Sequence, residues 1–275
     1  MKTRKPLSIL LILAMALGLL ALLPITASAE GVDITADFTD PAFKAAVYEH
    51  IGKTAPAPIY DTDVAGISTL AVNNEGIKNL EGLKHFKTLD SLVCHSNQLT
   101  SLPALPDSLR ALYCYDNQLT SLPALPFVLT ILSCYNNQLT SLPALPSSLD
   151  TLACANNKLT SLPVLPSFLR ELYCSNNQLT SLPELPISLK FLACANNQLT
   201  TIDVTGLALN RLHCYNNNMP DQSAVIGFNG IWGTEISDAF LFNPPNIITN
   251  PEPSFWAKLW NFILKWFLFG WIWMK

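Results

Sequence analysis

The chain has 275 residues, of which 49% are hydrophobic and only 13% are charged, and its formal net charge is −4 at pH 7. This weakly acidic composition lacks the concentrated basic charge of a nucleic-acid-binding protein. One repeated motif fills roughly half of the chain, which favours a single elongated domain with appended segments over two globular domains.

Residues 1–29 have the pattern of a secretory signal peptide. A basic start, MKTRK, precedes an apolar run at residues 7–23, and the Ala-Ser-Ala sequence at residues 27–29 matches a small-residue cleavage motif. We expect cleavage before Glu30. Loss of the three basic residues of this leader would change the net charge from −4 to −7. The alternative is an uncleaved membrane anchor.

Residues 30–66 predict a helical N-terminal cap. Asp40 is suited to the N-cap position of a helix and Pro41 to its first turn, apolar residues follow at helical spacing, and Gly52 marks the end. A solenoid needs such a cap because its first strand would otherwise expose an unpaired edge and an open core.

A 20-residue motif, written LRALYCYDNQLTSLPALPFV at residues 109–128, recurs along the middle of the chain. A period this short and this regular is typical of a solenoid. Together with a degenerate first turn from Ile67 and a partial copy from Leu209, the copies predict a solenoid over residues 67–220. The full copies begin at Leu89, Leu109, Leu129, Leu149, Leu169 and Leu189.

Each unit predicts one strand and one return segment. The LxxLxC part alternates as a strand does, which places Leu112 and Cys114 inward and Tyr113 outward. The SLPALP part has two prolines three residues apart, so it is expected to be extended or polyproline-like rather than helical. About eight turns stacked in parallel at about 4.8 Å give a slab about 40 Å long.

One cysteine per turn occupies the same inward strand position. A disulfide needs Cβ atoms about 3.8 Å apart, whereas in-register neighbours on parallel strands are about 4.8 Å apart, and the number of cysteines is odd. We therefore predict a stack of buried free thiols rather than the disulfides that a secreted chain would suggest, or a ladder of metal sites. The cysteines are Cys94, Cys114, Cys134, Cys154, Cys174, Cys194 and Cys214.

An asparagine follows three residues after each cysteine. An inward amide at a strand end is able to satisfy backbone N–H and C=O groups that the bend leaves unpaired, so we predict a structural ladder. Its members are Asn97, Asn117, Asn137, Asn157, Asn177, Asn197 and Asn217.

The variable outward positions of the strands predict a binding face. They are rich in rigid amphipathic aromatics, which binding surfaces use, although tyrosine is also a good strand former. Val93 and His95 belong to the same face. The predicted binding residues are Tyr113, Tyr115, Tyr135, Glu171, Tyr173, Phe191, Arg211, His213 and Tyr215. The sequence contains no nucleophile–base pair, paired carboxylate or phosphate-binding loop, so we expect no catalytic residue, no metal and no cofactor.

Beyond the repeats, residues 221–253 predict a C-terminal cap followed by a proline-rich linker. Residues 254–275, SFWAKLWNFILKWFLFGWIWMK, predict a hydrophobic helix that associates with a membrane. Its apolar stretch would be about 30 Å long as a helix, which matches a bilayer core. The near-central Lys265 and the tryptophans of this tail equally suit a helix that lies in the membrane–water interface. Packing against protein is a third possibility.

The pattern LxxLxCxxNxLTxLPxLP at residues 89–219 resembles the leucine-rich repeat, most closely the short bacterial class also seen in secreted effector proteins. The segment DPAFKAAVYEHIGK and residues 80–92 look like internalin-type surface proteins. The resemblance implies a curved solenoid that binds macromolecules on its concave, strand-lined side. Two departures are cysteine in place of leucine or valine, and the absence of any counterpart to the effectors' catalytic ligase domain. The last 22 residues resemble endings found on some secreted bacterial proteins, which suggests anchoring.

From these features we expect an exported binding or adhesion module, extracellular or at the cell surface and associated with the membrane through its tail. The ligand would be a protein or a cell-surface glycan and not a nucleic acid. A structural or self-associating envelope protein is the alternative, and an enzyme such as an effector-type ligase is a lesser one.

Overall fold

A computed structural model of the chain describes residues 31–228 and the backbone of residues 240–241. The predicted signal peptide, linker and hydrophobic tail lie outside the described residues. The described part is a solenoid of parallel strands with a small helical cap at its N-terminal end. No helix within it has the length and apolar character that crossing a membrane requires.

The N-terminal cap contains helix α1 (Pro41–His50) and one further helical turn, α2 (Asp61–Val64). The predicted start and end of α1 are confirmed. The side chain of Asp40 accepts hydrogen bonds from the backbone N–H groups of Ala42 and Phe43, both at 2.9 Å, and Gly52 follows the helix with a φ of 66°. The sequence analysis did not predict α2.

Asp40 also joins the cap to the first turn of the solenoid. Its second carboxylate oxygen accepts from the backbone N–H groups of Lys78 at 2.9 Å and Asn79 at 3.2 Å. Burial alone would raise the pKa of Asp40, but its four backbone donors lower it. Below this contact, Phe38 packs against Phe43 and edge-on against Phe86 in the fully buried centre of the cap.

Nine of the described strands are parallel and form the main sheet, in the order β1 to β7, β9, β11. Equivalent leucines of successive repeats are directly paired, as in Leu112 with Leu132, so every turn is in register with the next. These strands are β1 (Thr69–Ala71), β2 (Ser91–Val93), β3 (Ala111–Tyr113), β4 (Ile131–Ser133), β5 (Thr151–Ala153), β6 (Glu171–Tyr173), β7 (Phe191–Ala193), β9 (Arg211–His213) and β11 (Phe240–Leu241).

The return side has neither helix nor sheet in the turns with the SLPALP sequence, as the paired prolines predict. The inward leucines of both sides pack with the cysteines into one continuous core. The last turn departs from this pattern, because β8 (Ile202–Asp203) on the return side pairs in parallel with β10 (Val225–Ile226). The pairing of β11 with β9 extends the main sheet beyond the final repeat.

Candidate binding face on the concave sheet

The concave face is formed by the strand side chains that flank each central, inward leucine. Because all neighbouring strands are in register, equivalent residues of successive turns lie side by side in columns. One column contains Tyr113, Ser133, Ala153, Tyr173, Ala193 and His213, and the next along the chain contains His95, Tyr115, Tyr135, Ala155, Ser175, Ala195 and Tyr215. The face therefore alternates between groups of aromatic rings and a floor of small residues.

Three rings in the second column form a face-to-face aromatic stack. The centroids of His95 and Tyr115 are 4.2 Å apart at an interplanar angle of 8°, and those of Tyr115 and Tyr135 are 4.4 Å apart at 9°. Adjacent strands lie about 4.8 Å apart, so in-register rings with the same orientation come into stacking contact. The strand spacing of the solenoid thus dictates the stack.

The stack corrects one expectation from the sequence. Tyr115 and Tyr135 were predicted to be accessible binding residues, but they are only 7% and 5% exposed. Together with Ala153 and Ala155 they form a small packed cluster, separate from the leucine and cysteine core. They point outward from that core as predicted, yet they cover one another, so they are packing residues.

Burial also fixes the ionisation of the stack. It raises the pKa of Tyr115 to about 12, an effect that the hydrogen bond with Tyr135 reduces and the nearby carboxylate of Asp116 reinforces. Burial likewise raises the pKa of Tyr135. Burial lowers the pKa of His95, against the opposing influence of Asp116. The rings are therefore neutral at physiological pH, and the stack carries no net charge.

A second aromatic group lies nearer the C-terminal end of the sheet and is more open. The rings of Tyr173 and Phe191 are 4.6 Å apart and tilted, and Phe191 meets His213 edge-on at 5.6 Å. The hydroxyl of Tyr173 donates a 3.0 Å hydrogen bond to the carboxylate of Glu171. Arg211, on β9 beyond Phe191, is exposed. These half-buried or exposed side chains are the accessible part of the predicted site.

Of the remaining predicted binding residues, Tyr113 and Tyr215 are half-buried. Burial raises the pKa of both phenols, so they too remain protonated. Tyr113 packs against the cluster of the stack, whereas Tyr215 lies in the last repeat. The structure thus brings Tyr113, Tyr115 and Tyr135 together, while Tyr215 lies outside their cluster.

The asparagine ladder holds the turn that follows each strand. Asn137 is representative: its Oδ1 accepts from the backbone N–H of Leu119 in the preceding turn at 2.9 Å, and its Nδ2 donates to the carbonyls of Cys114 and Cys134, both at 3.1 Å. Each amide therefore connects two turns. Such bonds fix the spacing of the strands and, with it, the geometry of the concave face.

The seven cysteines are all free and buried in the core. Burial raises the pKa of each thiol, to about 12 for Cys114, Cys154 and Cys214. A thiol that stays protonated is a poor nucleophile and a poor metal ligand. Among the described residues, no group of three or more potential metal-binding side chains comes together.

A second polar ladder was missed by the sequence analysis. The residue before each ladder asparagine has a positive φ, from 52° to 56° between Ser96 and Asn216, a conformation that asparagine tolerates. Exposed amides in this column bond from turn to turn: Asn136 donates to Asp116 and Asn156 donates to Asn136, both at 2.6 Å. The repeated Asn-Asn pair in the sequence was the available signal.

A family model described as leucine-rich repeats (2 copies) matches residues 147–187. The in-register strands continue this pattern from β1 to β9, and the asparagine ladder continues it from Asn97 to Asn217. The described part of the chain is a leucine-rich repeat solenoid. No curated protein sequence matches it.

Several solved leucine-rich repeat structures are similar. YopM from Yersinia enterocolitica is 40% identical, with a TM-score of 0.53 over 56% of this chain and 34% of YopM. A Shigella effector leucine-rich repeat domain is 29% identical, with a TM-score of 0.52 over 65% of this chain and 86% of that domain. The functional domain of InlJ from Listeria monocytogenes, described as including a cysteine ladder, is 27% identical, with a TM-score of 0.47 over 70% of this chain and 54% of InlJ. The match with this chain thus spans about a third of the length of YopM.

Proposed function

We propose that this leucine-rich repeat protein is an exported, cell-surface module that binds another protein on its concave face and is held at the membrane by residues 254–275. The observation that carries the proposal is the grouping of accessible Tyr173, Phe191 and Arg211 on one rigid sheet face. Aromatic residues and arginine contribute most of the binding energy in protein interfaces. Leucine-rich repeat solenoids typically serve as interaction scaffolds rather than as enzymes.

The rigidity of the scaffold supports the same role. Asparagine bonds between turns and the buried aromatic stack hold the concave face in one shape, so a partner would meet preorganised side chains. Preorganisation reduces the entropy lost on binding. A cell-surface glycan is the other ligand class that the aromatic face would suit.

One observation favours a second candidate, a structural or self-associating role. Phe127, Phe168 and Ile187 are 75%, 70% and 77% exposed and lie in the turns that precede strands β4, β6 and β7. We call these three residues the apolar edge. Exposed apolar groups of this kind often mark contact surfaces. Contact through the apolar edge would join copies of the chain without using the concave face.

Matched phenylalanine variants distinguish these roles. Phe191→Ala alters the concave face, whereas Phe168→Ala alters the apolar edge. We expect labelled full-length protein to bind intact target cells, to lose binding in Phe191→Ala, and to keep it in Phe168→Ala. Pretreating the cells with protease should abolish binding, whereas periodate oxidation of their glycans should not. Loss of binding in Phe168→Ala alone would instead support association through the apolar edge.

A further inference from the structure

A slot lies on the concave face between two tyrosines of the same column. Tyr113 on β3 and Tyr173 on β6 are separated by the small residues Ser133 on β4 and Ala153 on β5. Three strand spacings of about 4.8 Å place the two tyrosine backbones about 14 Å apart. We call this region the tyrosine slot.

The rings at its ends partly close the tyrosine slot. Ser133 and Ala153 are only 4% and 6% exposed, although neither side chain is large. Tyr113 and Tyr173 pack against the cluster that contains Ala153, yet both are only partly buried. Outward rotation of these two rings would open the floor of the slot, while the buried pair Tyr115 and Tyr135 stays in place.

The hydroxyl at the base of the slot has no partner. The Oγ atom of Ser133 is buried and makes no hydrogen bond within the described part of the chain. Its neighbours Leu132 and Cys134 point into the core, so alternation along the strand directs Ser133 to the concave face. Buried polar groups are nearly always paired, and an unpaired one at the floor of a slot marks a place for a polar group of a ligand.

One acidic group lies at the Tyr173 end of the slot, and another lies in the neighbouring column beside Tyr115 and Tyr135. Asp116 follows Tyr115, and its charge adds to burial, the larger cause, in raising the pKa of Tyr115 and Tyr135. At the Tyr173 end, the carboxylate of Glu171 accepts the hydrogen bond from Tyr173. Arg211 is on β9, two strands beyond Glu171. Burial and then Glu171 raise the pKa of Tyr173, and the charge of Arg211 lowers it by less than Glu171 raises it. The Glu171 carboxylate therefore outweighs Arg211 at this end of the slot and favours a cation there.

We propose that the tyrosine slot binds a cationic side chain, lysine or arginine, of a protein partner. The faces of Tyr113 and Tyr173 would attract the cation, the carboxylate of Glu171 would complement its charge, and Ser133 Oγ would accept a hydrogen bond from it. This inference rests on the proposed function, because it names the chemistry that the partner presents to the concave face.

A small probe tests the slot without the partner. The full-length chain is labelled with 3-fluorotyrosine and titrated with Nα-acetyl-lysine N-methylamide, which keeps its charged ε-amino group. The norleucine analogue serves as the uncharged control. The fluorine resonances of Tyr113 and Tyr173 are assigned with Tyr113→Phe and Tyr173→Phe. We expect saturable shifts of these two resonances with the lysine probe and none with the norleucine probe. Equal responses to both probes would overturn the proposal.

Two serine variants localise the probe. Ser133→Ala should weaken its affinity by about tenfold, as expected for one hydrogen bond to a charged group. Ser175→Ala, also buried on the concave face but outside the slot, should leave the affinity unchanged. Thermal unfolding shows whether each variant is folded. An unchanged affinity in folded Ser133→Ala would contradict the assignment of the site.

The proposed function and the slot fail in different ways. If Phe191→Ala abolishes cell binding but the lysine probe does not bind, the concave face is the binding site and the slot proposal is wrong. If the lysine probe binds as expected but Phe191→Ala leaves cell binding intact, the slot is real and the proposed function of the face is wrong.

Discussion

Replacing Tyr115 by serine tests whether the aromatic stack stabilises the solenoid. The ring of Tyr115 has two stacking neighbours, at 4.2 and 4.4 Å, and each aromatic pair is worth about 1 kcal/mol beyond the burial of area. Burial of the ring itself contributes about 2 kcal/mol. Water is able to enter the space left on an open sheet face, so no cavity cost is added and we expect a loss of about 4 kcal/mol in the free energy of unfolding.

Three further variants separate the contributions. Tyr115→Phe keeps the ring and loses only the hydroxyl, so it should cost about 1 kcal/mol. The double variant of Tyr115→Ala and Tyr135→Ala should show a coupling energy of about 1 kcal/mol, because the two rings are in contact. Ser141→Ala, at an exposed position on the opposite side of the turn, should change nothing measurable.

Urea unfolding followed by circular dichroism gives these free energies. Hydrogen exchange of the backbone amides in and near β3 and β4 supplements the urea data, because repeat proteins can unfold in parts. If Tyr115→Ser is as stable as Ser141→Ala, the stack does not support the fold and the interpretation of these rings as packing residues is wrong.

Three other predictions concern the core, the turn and the tail. A thiol reagent should label almost none of the seven cysteines in the native protein and all of them after denaturation; a non-reducing mass that shows three disulfides would contradict this. Asn157→Ala leaves the buried N–H of Leu139 unpaired and removes one of the two amide donors to each of the carbonyls of Cys134 and Cys154, so unfolding in urea should show a loss of about 2 kcal/mol, against almost none for the exposed Gln138→Ala. Deleting residues 254–275 should move the protein from the membrane fraction to the soluble fraction, and a truncated chain that still sediments with membranes would place the anchor elsewhere.

The strand register and the first helix were predictable from local patterns. Leucine and cysteine at alternate positions determine which side chains enter the core, so the direction of Tyr113 and its equivalents follows from the sequence. The Asp40-Pro41 pair and Gly52 similarly define α1, because the capping and turn preferences of these residues are local.

The burial of Tyr115 and Tyr135 was not predictable in the same way. Alternation along a strand gives the side of the sheet, whereas exposure depends on the rotamers and sizes of residues one turn away. Tyr115 is covered because Tyr135 and His95 occupy the same column in neighbouring turns, 20 residues apart in sequence. The pairing of β8 with β10 was also missed, since it replaces a proline-rich return segment only in the last turn.

Site-specific photo-crosslinking tests the binding role of the concave face most directly. Benzoylphenylalanine is introduced at Phe191 on that face or at Phe168 on the apolar edge, and each full-length protein is irradiated on intact target cells. We predict that the probe at position 191 forms an adduct with a distinct cell-surface protein and that the probe at position 168 does not. A partner adduct at position 168 alone, or adducts only between copies of the chain, would contradict the assignment of the concave face as the binding site.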